Sequence, residues 1–242
     1  MRYGIFSDIH ANWDALDAVV KALETEAIDA YLCVGDIVGY GANPNECIEK
    51  VKVLASVCVS GNHDWASIGF LGTEWFNPDA SEVVRWTKQQ LQKEAVLFLK
   101  SCELLFENDD LTLVHGTLDS PQEFKYMYSG SNATATLGFM KTKICFVGHT
   151  HIAGVFVKDG DNRLHYGHQS RVTLKDNARY IVNVGSVGQP RDGNPDAAYC
   201  VYDAEKSFVE IKRVSYDVSS QREKIIAAGL PPFLGDRLLR GV

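Results

Sequence analysis

Ile144-Cys145-Phe146-Val147-Gly148-His149-Thr150-His151 is a short apolar run cut off by a glycine and a polar turn carrying two imidazoles. Four residues without a polar position suit a strand buried on both faces. The same grammar recurs along the chain. Tyr3-Gly4-Ile5-Phe6 precedes Ser7-Asp8, residues 30–34 precede Gly35-Asp36, and residues 56–59 precede Ser60-Gly61-Asn62-His63-Asp64. Residues 111–114 precede His115-Gly116, and residues 180–184 precede Gly185-Ser186. Helical patterns separate the first strands. Trp13, Leu16, Val19, Val20 and Leu23 form one stripe over residues 13–24. Asn43, Pro44 and Glu46 have capping-box spacing before a second helix, and residues 79–100 read as helix in two pieces, starting near Asp79. Strand–helix–strand alternation gives βαβ units.

After residue 152 the pattern changes to hairpin-like strands at 153–157, 163–166, 170–174, 198–202 and 208–214. Ser220 and Glu223 then have capping-box spacing for a last helix, anchored by Ile225 and Ile226 and stopped by Gly229 and Pro231-Pro232. The expectation is an α/β fold of two packed mixed sheets flanked by helices, with residues 1–242 forming one domain.

The chain has 242 residues, 45% hydrophobic and 23% charged, which excludes disorder and fibrous repeats. A formal charge of −7 gives no general attraction for anionic membranes or long nucleic acids, so a phosphorylated ligand needs local positive charge. The amino terminus reaches Asp8 before an apolar signal region develops, and no window approaches a membrane span. The 6 cysteines contain no C-x-x-C pair and read as free thiols, which points to a reducing, cytoplasmic location. Composition leaves the oligomeric state open.

Five of the 7 histidines stand in the turns after strands, together with Asp8, Asp36 and Asn62. Asp8-x-His10 and His149-x-His151 place residues i and i+2 on one side of an extended chain, so each pair is expected to grip one ion. The donor set is carboxylate, amide and imidazole without thiolate, which suits Mn²⁺, Fe or Zn²⁺. Asp8, His10, Asp36, Asn62, His115, His149 and His151 are too many ligands for one ion with an open position. They suit two divalent transition-metal ions sharing a carboxylate. Such a pair outweighs the two Asp charges and a bridging hydroxide by one positive charge, which attracts phosphate. Ions about 3.5–4 Å apart generate that hydroxide and clamp an in-line displacement at phosphorus.

These blocks, in this order, resemble the calcineurin-like metallophosphoesterase superfamily. Asn183 through Gly193 and Ala227 through Pro232 are similar to its small prokaryotic phosphodiesterase and phosphatase members. The resemblance implies a four-layer αββα sandwich. It implies that Asp8, His10 and His151 hold one metal, that Asp36 bridges, and that Asn62, His115 and His149 hold the other. It implies His63 as general acid or phosphate contact, with Asp64 orienting its ring, and Mn²⁺ as the first choice of ion. Two departures bear on loop shape: Ala153 and Val184 stand where the family commonly has proline.

Outside the metal set, Arg191 is a candidate substrate-binding guanidinium, or else a local partner of Asp192. Asn12 either caps the first helix or points at phosphate. Trp65, Phe70, Trp75 and Phe76 read as a base-stacking lid or as core, and residues 121–128 as a second substrate loop. His165 and His168 read as ordinary surface residues. The expected activity is hydrolysis of small phosphomonoesters or phosphodiesters, with dinucleoside polyphosphate hydrolase and nuclease left open. A serine/threonine protein phosphatase would place Arg in the Gly35–Gly41 block, where this chain has none. A non-catalytic scaffold of the same fold is the alternative from another class; the intact ligand set opposes it.

Overall fold

In the computed structural model, which describes residues 1–74 and 76–242, the strand-and-turn grammar becomes two six-stranded sheets. The amino-terminal part supplies β1 (Arg2–Phe6), α1 (Trp13–Glu24), β2 (Ala30–Cys33), α2 (Pro44–Leu54), β3 (Val57–Cys58), α3 (Asn62–Ser67), α4 (Pro78–Gln90) and α5 (Lys93–Ser101). Then come β4 (Leu105–Glu107), β5 (Thr112–Val114), α6 (Gly130–Phe139), β6 (Ile144–Val147), β7 (Gly154–Lys158), β8 (Leu164–Gly167) and β9 (Arg171–Thr173). The chain ends with β10 (Arg179–Asn183), β11 (Ala197–Asp203), β12 (Phe208–Val214), α7 (Val218–Ala227) and α8 (Pro232–Asp236). One sheet has the order β3-β2-β1-β11-β12-β9 and the other β4-β5-β6-β10-β7-β8. Both are mixed: β1 is parallel to β2 and antiparallel to β11, and β10 is parallel to β6 and antiparallel to β7.

Side-chain alternation sorts the layers. Tyr3, Ile5, Leu32, Phe146, Val182 and Tyr202 meet between the sheets. Their neighbours of opposite parity, Phe6, Cys33, Tyr199 and Val201, pack against Leu16 and Val19 of α1, Ile48 of α2 and Leu99 of α5. On the far side Cys145, Val147 and Ile181 meet Ala133 and Leu137 of α6. The result is four layers, helix–sheet–sheet–helix. Each buried Leu, Ile or Phe adds about 1.5–3 kcal/mol. The six cysteines are free, and among the described residues no helix is long and apolar enough to cross a membrane.

Helix ends differ from the sequence reading where several polar residues compete for one cap. Asn43 precedes α2 without a side-chain cap bond; its amide donates to Glu46 Oε1 instead (3.2 Å). Asn77 rather than Asp79 caps α4, accepting from Ala80 N, and Asp217 rather than Ser220 caps α7, accepting from Ser220 N. Ile225 is buried, but Ile226 is exposed. Pro231-Pro232 ends nothing: Pro232 opens α8, whose Leu234 joins Ile225, Tyr40 and Val83 in a satellite core.

Strands β1, β2 and β3 run parallel, as do β5, β6 and β10, so the turns that leave these strands gather at sheet ends. Every candidate metal ligand lies in one of those turns except Asn62, which opens α3 directly after the turn that follows β3.

Candidate metal centre

The ligand turns are not extended chain. Asp8 (φ 53°), His10 (50°), Asp36 (52°), His149 (66°) and His151 (61°) all occupy the left-handed region. A non-glycine residue there costs about 1–3 kcal/mol, and such residues concentrate where function demands a fixed side-chain direction. This corrects the i, i+2 reasoning. Asp8 and His10 converge because the backbone curls after β1, and His149-x-His151 is not a single grip at all. His149 Nδ1 faces His115 Nε2 (3.2 Å), whereas His151 Nε2 faces His10 Nε2 (3.0 Å) and Asp8 Oδ1 (3.2 Å).

Two groups of donors result, Asp8–His10–His151 and Asp36–His115–His149, and His63 joins His10 and Asp36 in a third that overlaps both; the ligand atoms of each lie within 4.8 Å of one another. Asp36 Oδ2 lies 3.3 Å from His115 Nε2 and 3.8 Å from His10 Nε2, so one carboxylate oxygen stands between the groups. Asp36 Oδ1 accepts from the His63 N–H (2.8 Å), and Asp8 accepts from the His149 N–H (3.0 Å to Oδ2). All four carboxylate oxygens are thereby oriented.

The histidines are aimed by the backbone. His10 Nδ1 lies 3.0 Å from the Val38 carbonyl, His115 Nδ1 2.8 Å from Val34 and His151 Nδ1 2.6 Å from Gln189. A carbonyl only accepts, so each ring carries a proton on Nδ1 and turns Nε2 inward, as a lone pair in His10 and His151. The lone pairs of His10 and His151 then face each other at 3.0 Å, an arrangement that a shared cation stabilises. Asn62 Oδ1 is buried without a hydrogen-bond partner and belongs to the same rim. Facing lone pairs, an orphaned amide oxygen and a thiolate-free donor set fit divalent transition-metal ions.

Electrostatics agree for every ligand histidine but His115. Burial pushes His149 down to about 3, with the His115 charge adding to it, and pushes His63 down to about 4 against the pull of Asp36. Burial also holds His10 and His151 well below the usual imidazole value. For His115 burial is outweighed by the carboxylates of Asp36 and Asp8, which raise it to about 10. Asp36, which burial alone would raise, is held well below the usual carboxylate range by His115 and His63. Neutral imidazoles and ionised carboxylates are the protonation states metal ligands need; His115 alone is cationic in the metal-free protein and would give up its Nε2 proton to an ion.

The model of the calcineurin-like phosphoesterase superfamily domain matches residues 1–207. The chain belongs to that superfamily. It is 37% identical over 241 residues to an uncharacterised protein of Methanocaldococcus jannaschii, covering 98% of this chain and 97% of that one. It is similar to the crystal structure of a metallophosphoesterase from Sphaerobacter thermophilus, with 39% identity, a TM-score of 0.90 and 100% of both chains covered. A hypothetical protein from Pyrococcus horikoshii OT3 shares the fold at 19% identity, with a TM-score of 0.80 over 100% of this chain and 98% of that one.

In this member of the superfamily, three further candidate residues have defined partners. Asp64 does not orient the His63 ring: Oδ1 accepts from Ile37 N (2.9 Å) and Val38 N (3.2 Å), and Oδ2 from Gly61 N (3.0 Å). Burial and the charge of Asp36 raise it to about 7. It pins the turn after β2 to the start of α3, and the His63 ring is set instead by packing against His10, Tyr40 and Phe76 (4.9, 4.6 and 5.0 Å between ring centres). Of its two expected roles, Asn12 takes the capping one. Its Oδ1 caps α1 through Ala15 N (3.1 Å), and Nδ2 donates to Gly188 O (2.9 Å) and Tyr216 Oη (3.2 Å). Arg191 forms no pair with Asp192, which bonds Arg213 and the Ala153 N–H. The guanidinium donates to Gln189 Oε1 (2.9 Å) and lies 5.7 Å from the Tyr40 ring centre.

The two departures from the family pattern also have a local cause. Ala153 N donates to Asp192 Oδ2 (3.3 Å) and Val184 N to Val147 O (3.0 Å), bonds that proline cannot make. Sequence reasoning overlooked Asn183 and Gln189 although both stood in a quoted motif. Asn183 Nδ2 holds the Gly148 carbonyl (2.7 Å) and Thr150 Oγ1 (2.9 Å), fixing the turn that carries both histidines. Gln189 fixes His151 through its carbonyl and Arg191 through its side chain. His165 pairs with Asp159 (2.8 Å) and His168 bonds the Ala153 carbonyl (2.8 Å), away from the centre.

A cleft of about 530 Å³ opens from Asn62, His63 and His149. Phe76 lines it, and so do Phe124 and Tyr126 of the 121–128 segment. Trp65 packs against Phe70 and Phe124 and does not line the cleft, so the aromatic segment is part packing and part wall. Trp75 lies outside the described residues.

Proposed function

We propose that this chain is a two-metal hydrolase of small phosphoric esters. Asp8, His10 and His151 would hold one divalent ion, Asn62, His115 and His149 the other, with Asp36 shared; Mn²⁺ is the first choice, Fe or Zn²⁺ next. The observation that carries the reading is Asp36 Oδ2 lying between two buried histidine groups whose ligand atoms converge. When bound, such ions lower the pKa of the water between them and clamp the phosphoryl oxygens.

The protein's own groups divide the remaining work. Arg191, held by Gln189 against Tyr40, would bind a phosphoryl oxygen; its Nε has no partner among the described residues, which supports that reading. His63 lines the cleft at the edge of the centre and is the candidate proton donor to the leaving oxygen. Burial keeps it neutral in the protein alone; a bound phosphate dianion supplies the charge that favours its protonation. The acidic chain, with free thiols throughout, fits a small substrate in a reducing cytoplasm better than a long nucleic acid.

The test is elemental analysis of Mn²⁺-reconstituted protein together with turnover of p-nitrophenyl phosphate and bis-p-nitrophenyl phosphate. Two ions per chain and turnover of at least one substrate are expected. One ion or fewer, or two ions with neither substrate hydrolysed, would overturn the reading.

A further inference from the structure

The cleft beyond the metal centre is much larger than a phosphoryl group. Its 530 Å³ falls within the roughly 300–1,000 Å³ of sites that enclose drug-sized molecules. Its composition specifies what enters. Tyr126 lies flat on the His149 ring, 3.9 Å between centres and 15° between planes, and Tyr128 continues the stack at 5.0 Å and 11°. A column of parallel rings thus leads outward from the centre. Tyr126 remains 42% exposed, and with His149 and Tyr128 on its two faces it turns its ring edge to the cleft. Phe76 and Phe124 supply further aromatic wall.

Charge separates the possible occupants. The one cationic residue lining the cleft among the described residues, Lys125, is paired with both Asp119 and Glu123 at 3.1 Å. Glu123 itself lines the cleft. Past the centre, then, the walls offer no unpaired cation to a second phosphate and present an acid that repels one. They do offer polar edges. Asn77 commits Oδ1 to the Ala80 N–H (2.9 Å) and keeps its NH₂ free for an acceptor, while Glu123 can accept from an exocyclic amine.

Building on the phosphoesterase reading, we propose that the cleft is a leaving-group subsite for a nucleoside, its base stacked on the aromatic walls, with the single reacting phosphate at the metals. Hydrolysis breaks the bond from phosphorus to the nucleoside oxygen. Water provides the new phosphate oxygen, and its proton ends on the nucleoside hydroxyl. A polyphosphate chain reaching into the cleft is disfavoured by the same walls.

The experiment is calorimetric binding of adenosine 5′-monophosphate and glycerol 3-phosphate to the metal-loaded protein, with kcat/KM for both where they turn over. Base stacking on an aromatic side chain predicts a preference for the nucleotide of about 5–100-fold. Phe76→Leu and Phe124→Leu should each shrink that ratio several-fold, and Phe76→Tyr should retain it because the flat ring remains. The ratio is the readout, so a variant that also weakens the centre still reports. Equal binding of both ligands by the wild type, or an undiminished ratio in both leucine variants, overturns the proposal. Turnover without a nucleotide preference sinks the subsite but leaves the phosphoesterase reading standing. Preference in binding with no ester hydrolysed does the reverse.

Discussion

Gly39 offers a way to move His63 without touching a metal ligand. Its φ is +97°, and a Cβ built on it would lie 2.5 Å from His63 Nδ1 and 3.0 Å from Cγ. Contacts that short force something to shift, and the His63 ring has little room because His10, Tyr40 and Phe76 pack around it. In Gly39→Ala the ring must turn away from its present direction. Backbone strain adds about 1–2 kcal/mol, against total stabilities of about 5–15 kcal/mol, so the fold survives. Asp8, His10, Asp36, His115 and both histidines of the Gly148 turn keep their supports, and metal content should match wild type. Removing a general acid typically costs about 10²–10⁴ in rate when the leaving group needs the proton. Alkyl phosphates should lose that much in kcat, while p-nitrophenyl phosphate, whose leaving group departs as an anion, loses far less. The double variant with His63→Ala should be no slower on alkyl esters than His63→Ala alone, since both remove one function. Alkyl-ester turnover near wild type in Gly39→Ala would refute the placement of His63. So would equal losses on both substrates together with loss of metal.

Asp36→Asn keeps the shape but removes the shared negative charge, so elemental analysis should fall from two ions per chain to one or fewer. Asn12→Ala loses the α1 cap and the tie to Gly188; chemical denaturation should show about 0.5–2 kcal/mol of destabilisation with KM within twofold, and a tenfold KM rise would return Asn12 to the substrate site. Chelated protein should gain stability from pH 5 to 6.5. His10, His63, His149 and His151 are depressed in the fold, so below their unfolded value near 6.5 the unfolded chain takes up their protons first. His115 (about 10) and Asp64 (about 7) bind protons more tightly when folded and partly offset this. The unfolded chain stays ahead by on the order of two protons near pH 5.5, a slope of about 3 kcal/mol per pH unit; a flat or falling profile would contradict the histidine environments. Removing metal should lower Tm yet leave near-ultraviolet circular dichroism native-like, because the ligand turns are held by the protein's own hydrogen bonds.

What was legible in the sequence was whatever a local pattern dictates. Apolar four-residue runs ending in glycine turns announced the strands, and the order of Asp, Asn and His in those turns announced the centre. Short elements were missed: β4 at 105–107 and α3 at 62–67 are too brief for periodicity to register, and α6, with Gly, Ser and Thr through much of its length, has no clear apolar stripe. Direction was the other blind spot. Nothing in the letters of Asp8-Ile9-His10 signals a left-handed backbone, so the sharing of His149 and His151 between two groups was visible only through family resemblance. Asn12, Asp64 and Asp217 show the same limit: several polar residues near a helix start can each cap it, and tertiary contacts choose.

Five strained ligand positions at about 1–3 kcal/mol each approach the whole stability of a typical domain, so the strain must be offset locally. The turns brace one another. Asp8 N donates to Gly35 O (2.9 Å), His10 N to Asp36 O (3.0 Å) and Ala11 N to Ile37 O (2.8 Å), tying the first ligand turn to the second. Gly148 N donates to His115 O (3.0 Å), Gly188 N to Asp8 O (2.9 Å) and Arg191 N to His151 O (3.2 Å), which joins the remaining turns. Each curled segment satisfies the backbone of its neighbour, and regular strand geometry in any one of them would orphan groups in the next. The centre is therefore shaped by the chain before any ion arrives. The free energy spent on left-handed backbone is returned as candidate ligands already converged on one another.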